Sequence, residues 1–444
     1  MKPTPPMSPS LPLAGHLFEF QRDRTHFLQR CYEKHGSIFG IKLGPKPAAV
    51  LVGPENSRLF FDETDKKLNM HKSYQFLAAN FGEIAFLGPH EVYLNHCPVL
   101  HLPFKRSKMV HYIAVMQEEV NLWIDSLLDT VDNTGYGEFE LTSHINSVVQ
   151  RVAAHAFMGK AFHQRMGDEF WAHYTDIGKA LDPVLPPNWP LPKFRRRDRA
   201  RDALRTLLTP LIEERHQSHE EHNDFLQEFL NAQYKDGSTP NTEEILSLLL
   251  GLMFAGHETT AGQAAWTVIH LLQHPAYAQK VQEEIGTHLP NDCEITAKEM
   301  RQLKHIDWAI RESGRLRPSA DLIMRTADED IVVGDYRIPA GWIVILATST
   351  SHFQPELFES PDLYDPLRFA LNRAEDEQHR FAITTFGGGL HKCTGMNFAN
   401  NEMMIITALL FQRLELELLT PNPGIESSLG ANRPTETMIR YRQK

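Results

Sequence analysis

The segment from Glu243 to about Gln273 is apolar nearly all round the helical circumference through its middle. That pattern predicts a long helix buried on all sides, not an amphipathic surface helix. Asn241 with Glu244 three residues on has the form of a capping box, and His274-Pro275 supplies a stop. About 30 residues at ~1.5 Å rise make a rod of ~45 Å, long enough to cross a domain. From about Val110 to Phe229 apolar residues recur at three- and four-residue spacing, the mark of helices, and a proline cluster from Pro183 to Pro192 breaks the run. Strand signals are short. Ile38 to Leu43 and Ala48 to Val52 are largely apolar runs separated by Gly-Pro-Lys-Pro, which reads as a hairpin with a proline turn, and Ile331 to Val333 and Ile343 to Leu346 read as further strands. The fold class these elements predict is mainly α with a smaller β portion.

Composition narrows the class. No Ser/Gly-rich linker, low-complexity tract or repeat divides the 444 residues, so the expectation is one domain over 1–444, a monomer with a sizeable core. A net charge of -11 argues against general nucleic-acid binding, which needs basic surface. Cys31, Cys97, Cys293 and Cys393 lie far apart with no C-x-x-C pair, which suits a reducing cytoplasm better than a disulfide framework. The proline-broken N-terminus has no continuous apolar segment and reads as neither signal peptide nor anchor. The longest apolar stretch, Ile245 to Ala255, is interrupted by Ser247 and Gly251 and falls short of the roughly 20 residues of a membrane span. A soluble, cytoplasmic protein is expected.

The candidate chemistry centres on Phe386 to Gly395, FGGGLHKCTG. A glycine-rich turn ending in one cysteine can hold a thiolate close beneath a flat cofactor, because backbone replaces side chain where the two approach. Backbone N–H groups in such a turn can point at the sulfur and moderate its charge. Haem iron is the obvious occupant, and a thiolate ligand implies oxygen activation more than storage. Taken alone, the run is read equally well as a buried inert cysteine beside a flexible turn. In the middle of the long helix stands AGHETT, Ala255 to Thr260. Small side chains let a ligand approach, and a hydroxyl competing for backbone hydrogen bonds can open the helix locally. His257-Glu258 is not a zinc-protease motif, since Ala261 stands where the second histidine would be.

Together these residues resemble the cytochrome P-450 monooxygenases along nearly the whole chain. The pattern F-x-x-G-x-[basic]-x-C-x-G is met by Phe386, Gly389, His391, Cys393 and Gly395, although many members carry arginine where this chain has His391. The resemblance implies haem b with Cys393 as thiolate ligand and Glu258 and Thr259 as the pair that delivers protons. It also implies a structural triad: Glu312 and Arg315 form E-x-x-R, and Arg368 lies in the matching Pro366-Leu367-Arg368-Phe369. Phe386, Gly387 and Gly395 would hug the cofactor, and Arg325 and His391 would meet the propionates. The usual W-x-x-x-R is not evident; around it the chain offers Tyr93, His96 and His101, of which His101 is the choice.

Tyr74 to Gly88, YQFLAANFGEIAFLG, is similar to the sterol 14α-demethylase signature. That likeness makes Tyr74 a propionate contact and Phe76, Leu77, Phe81 and Phe86 lining of the distal pocket, joined by Phe254, Ala255, Leu322 and Ile323. Sterol demethylases usually carry a histidine where this chain has Glu258. The function implied is insertion of one atom of O2 into a small apolar molecule such as a sterol, terpenoid, fatty acid or polyketide. With no flavin or nicotinamide domain attached, electrons would come from a ferredoxin or flavodoxin and its reductase, docking near Lys105, Arg106 and Lys108. A peroxide-driven or isomerase-type enzyme and a haem sensor are the alternatives.

Overall fold

The computed structural model of the chain describes residues 2–83, 87–182, 185–218, 220–290, 294–428 and 431–444. Phe86, Pro183 and Cys293, singled out from the sequence, lie outside the described residues.

The central helix runs Thr242–Gln273. Its capping box forms as read: the Glu244 N–H donates to Asn241 Oδ1 at 3.0 Å and the Asn241 N–H donates to Glu244 Oε2 at 2.8 Å. Each side chain thereby satisfies a backbone donor that the helix start would leave unpaired. At the other end His274 leaves the helical region, and Pro275 opens the next helix, Pro275–His288, at a position where its missing N–H costs no hydrogen bond. Every residue from Thr260 to Leu271 is buried, as the all-round apolar pattern requires. Among the described residues this helix is also the one long and apolar enough to cross a membrane, and most of it is buried inside the fold. Its most extensive helix packing is against Leu141–Met158, Lys304–Leu316 and Met396–Arg413.

The helical stretch expected over 110–229 resolves into Arg106–Leu128, Leu141–Met158, Lys160–Gly178, Pro192–Gln217 and Phe225–Leu230. A short strand, Gly137–Glu140, interrupts it and pairs with the C-terminal strand Met438–Gln443. Pro192, read as part of the break, instead starts a helix from its first turn.

Five strands make the main sheet: β1 Ile38–Leu43, β2 Lys46–Leu51, β3 Leu68–Asn69, β4 Ile323–Ala327 and β5 Ile343–Leu346, in the order β1-β2-β5-β4-β3. Leu43 pairs with Lys46, so Gly44-Pro45 is the whole hairpin turn, and Gly44 takes a φ of 62° that a side chain would strain. β5 runs parallel to β2 and antiparallel to β4, with Ile323 opposite Leu346. Ile331–Val333 pairs outside this sheet, with Tyr336–Ile338. The sheet carries Arg325 on β4, and the helix Met396–Arg413 begins directly after the cysteine turn; these two elements flank the candidate site.

Candidate active site

The cysteine turn is closed by its own backbone. The Cys393 N–H donates to Phe386 O at 2.9 Å and the Gly387 N–H to Thr384 O at 2.8 Å. Gly387 and Gly389 take φ of 67° and 65°, the left-handed region that favours glycine. Gly388 is the cramped position: a Cβ there would lie 2.7 Å from Phe381 Cε1 and 2.8 Å from Phe61 Cδ2. At Gly395 a Cβ would make only ordinary contact with Phe104, at 3.5 Å. Gly395 contributes its N–H, which points at the Cys393 sulfur. Burial pushes the Cys393 thiol up, against that N–H and the Lys392 charge. By surface area the same side chain is exposed. Both hold for a thiol at the floor of a recess, walled by protein and open on one side.

Behind the turn lies the triad, buried completely. Arg315 donates to both oxygens of Glu312, through Nε and Nη2 at 2.8 Å each, and Arg368 Nε bridges the same carboxylate at 3.0 and 3.1 Å. Arg368 also donates to Glu375 at 2.6 Å. A histidine that the sequence did not single out couples this cluster to the cysteine turn. His352 contacts Arg315 O through Nδ1 at 3.1 Å, and the Thr384 N–H donates to His352 Nε2 at 3.0 Å. A carbonyl can only accept and an amide N–H only donate, so His352 must be the neutral Nδ1–H tautomer. Burial drives its pKa down to about 3, in agreement.

Arg325 and Tyr74 come together as expected. Arg325 is buried, donates to Thr64 Oγ1 at 3.3 Å and to Met324 O at 2.7 Å, and lies beside Tyr74, whose hydroxyl accepts from the Met324 N–H at 3.2 Å. Burial lowers the Arg325 pKa, with Tyr74 and Asp65 opposing. His391 departs from expectation: its Nε2 is bonded to Asp65, which His90 also contacts at 3.0 Å. Burial raises the Asp65 carboxyl, but His391 and His90 outweigh it and hold the group below its usual range. Asp65 therefore competes with any anion for His391. His101 is exposed at the end of the helix His90–His101, and of the three candidates there Tyr93 is the one that reaches the cysteine turn, donating to Leu390 O at 3.0 Å. Its ring lies 4.3 Å from that of His391. His96 stacks on Tyr234 instead.

On the central helix Ala255 and Gly256 are exposed in the midst of buried residues. The Thr259 hydroxyl donates to Ala255 O at 2.8 Å, and Ser319 Oγ donates to Thr259 O at 2.8 Å, so side chains occupy carbonyls of this turn. Glu258 lines a separate crevice of ≈ 420 Å³ with Glu140, Arg433 and Glu436. Phe81 packs on Phe254 at 4.6 Å, Leu77 is buried and Phe76 half-buried. Ile323 reaches toward the cysteine turn, 3.9 Å from where a Cβ on Gly387 would stand. Leu322 does not join it. Alternation along the strand turns Leu322 and Met324 to the opposite side, against the cluster of Phe27, Leu28 and Phe39. Of the basic residues expected to receive a redox partner, Lys105 and Arg106 are exposed beside Phe104, while Lys108 is engaged with Glu228 at 2.7 Å.

A family model described as Cytochrome P450 matches residues 5–438. The chain belongs to the cytochrome P450 family. Among curated relatives, the sterol 14-demethylase of Arabidopsis thaliana is 29% identical over 444 residues, covering 98% of this chain and 90% of that protein. The sterol 14alpha-demethylase of Mycolicibacterium vanbaalenii is 29% identical, with 97% and 96% covered. The retinoic acid bound cyanobacterial CYP120A1 shares the fold at a TM-score of 0.88 and 24% identity, with all of both chains covered. As a cytochrome P450 the chain is a haem-thiolate monooxygenase. Its residues fit the cofactor: a thiol open on one side, a Gly388 whose Cβ would collide with Phe61 and Phe381, and a buried guanidinium beside a tyrosine hydroxyl.

His352 and His270 give this P450 a defined acid sensitivity. Burial holds both at a pKa of about 3, with nearby arginine charge adding to the effect, while the unfolded chain protonates them near 6.5. Folded pKa values below unfolded ones mean stability that is fully present above pH 6.5 and lost as pH falls toward 3. Each histidine contributes a slope of about 1.4 kcal/mol per pH unit. Chemical denaturation between pH 7 and 5, above most carboxylate titration, should show these two slopes in the wild type, added to those of other histidines whose pKa burial lowers, such as His257. His352→Gln, whose amide can keep both hydrogen bonds, should lose one of them; an unchanged slope would show that His352 is not buried neutral.

Proposed function

We propose that residues 1–444 act as one domain in which Cys393 is the haem ligand and the space beside Phe81, Phe254 and Ala255 receives a small apolar substrate. The observation that carries this reading is the cysteine turn, where a one-sided thiol receives the Gly395 N–H and sits on a Gly388 that admits no side chain. Haem b, when bound, supplies dioxygen activation and oxygen-atom transfer. The chain does the rest. Arg325 and Tyr74 hold the propionate side, the apolar walls keep water from the reacting C–H bond, and Thr259 holds a proton at its hydroxyl close to Ala255 O. Glu258, which lines its own crevice beside Arg433, is assigned to proton exchange with its chain neighbour Thr259. Similarity to sterol 14-demethylases over nearly the whole chain supports a bulky apolar skeleton as substrate. Electrons come from a separate ferredoxin or flavodoxin and its reductase, docking at Lys105 and Arg106, and the protein works as a cytoplasmic monomer.

The reduced carbon monoxide spectrum tests the ligand: a red-shifted Soret band is expected, and an ordinary haem-imidazole band would overturn the reading. Product formation with dioxygen and an electron donor, compared with peroxide alone, tests the reaction. Thr259→Ala should keep electron consumption while product per electron falls roughly ten- to hundred-fold, with peroxide released instead. Unchanged coupling in that variant would remove Thr259 from proton handling.

A further inference from the structure

A cavity of ≈ 290 Å³ lies between the helix Pro192–Gln217 and the first turns of the central helix. Its apolar side is Phe81, Leu246 and Leu250, and Phe81 is the ring that packs on Phe254 beside the exposed Ala255. Its polar lining is Arg201 and Ser247 together with Asp198, Asp202, Arg205 and Glu243. Arg201 and Ser247 converge at Gly82, where a Cβ would stand 2.3 Å from Ser247 Oγ and 4.0 Å from Arg201 Nη2. Gly82 has a φ of 84°, so backbone conformation and space both keep this position free of a side chain.

Arg201 differs from the charges around it. Arg205 is paired with Glu243 at 2.6 Å, and Asp198 with Arg197 at 2.8 Å. Asp198 and Asp202 line the cavity as exposed residues. Arg201 is half-buried, and its one hydrogen bond among the described residues is Nη1 to Ala79 O at 3.1 Å; no carboxylate lies within ion-pair distance of it. Asp198 and Asp202 act on its charge only from beyond ion-pair distance, so its desolvation is incompletely offset, and its remaining N–H groups present a planar fork. A fork with an adjacent hydroxyl, opening onto an aromatic wall that continues toward the proposed reaction space, fits a carboxylate with an apolar tail.

We propose that this cavity binds the carboxylate end of an amphipathic substrate, a fatty or terpenoid acid, with Arg201 and Ser247 as its recognition groups and Phe81 as the start of the path for its tail. The inference rests on the apolar-substrate reading above and narrows it. Binding to the haem-loaded protein is measured by calorimetry and by spin-state shift at neutral pH, with tetradecanoic acid against tetradecanol and farnesoic acid against farnesol. The acids are expected to bind roughly ten- to hundred-fold tighter than the alcohols, the range of one charge-assisted contact. Arg201→Gln should erase that preference while leaving alcohol affinity in place, and Arg201→Lys should keep part of it. Equal affinity for acid and alcohol, no binding by either acid, or an Arg201→Gln variant that weakens both equally would overturn the proposal. The carbon monoxide spectrum of the same samples separates the outcomes: loss of the thiolate band sinks the haem-ligand reading, whereas a normal band without acid preference sinks only this one.

Discussion

Cys393→Ser should yield a folded chain without the red-shifted carbon monoxide band and with turnover reduced at least about a thousand-fold, equivalent to about 4 kcal/mol of barrier. Sulfur is decisive because a thiolate is a soft, charged donor, whereas a serine hydroxyl stays neutral near pH 7 and donates weakly. The turn itself should tolerate the change. Its closing hydrogen bonds run between backbone atoms, Cys393 N–H to Phe386 O and Gly387 N–H to Thr384 O, and do not use the side chain. Cys31→Ser and Cys97→Ser serve as controls. Cys31 is buried, with Ser8 donating to its sulfur at 3.3 Å, and Cys97 donates to the Tyr93 hydroxyl at 3.6 Å, so neither sulfur is free to face a cofactor. Both controls should keep the band. Retention of the band in Cys393→Ser would require another ligand.

What the sequence disclosed was local or fixed by spacing. The capping box of Asn241 and Glu244, a hairpin after Leu43 whose turn is two residues shorter than the Gly-Pro-Lys-Pro reading, and the pairing of Glu312 with Arg315 each involve residues within a few positions of one another. Arg368 could be placed only through its motif, and it does reach Glu312 from 56 residues away. The residues that escaped notice act through contacts between distant segments. His352 is one of 23 histidines in the chain, and nothing adjacent marks it as the link between Arg315 and Thr384. Asp65 captures His391 across 326 residues, which no periodicity can reveal. Leu322 was assigned with Ile323 to one surface, and the one-residue alternation of a strand divided them. Among the glycines, the tight approach fell at Gly388, set by Phe61 from an early helix that the motif does not contain.

Glu312→Gln is expected to cost about 3–5 kcal/mol, the scale for removing one partner from a buried ion pair, out of a total of about 5–15. Glu312 faces two guanidiniums and the Asp365 N–H, all at 2.8 to 3.1 Å and all without solvent. Neutralising it leaves Arg368 with Glu375 and takes from Arg315 its one ion-pair partner among the described residues. The defect should travel to the cysteine turn through Arg315 O, His352 and Thr384, so haem bound per chain should fall along with the denaturation midpoint. Arg315→Lys should not rescue function. Lysine cannot bind both Glu312 oxygens while also donating to His352 O, Pro361 O and Leu363 O, as Arg315 does. Arg373→Gln gives the scale of an ordinary ion pair: Arg373 also meets Asp365 and Glu375, but it is partly exposed and should cost about 1 kcal/mol or less. The discriminating measurement is the double variant Glu312→Gln with Arg368→Gln. It removes one charge of each sign, and Arg373 remains to partner Glu375. Its cost should therefore be less than the sum of the single costs by about 0.5–3 kcal/mol. Strict additivity would mean that the three side chains are held by packing and backbone contacts, with no charge coupling between them.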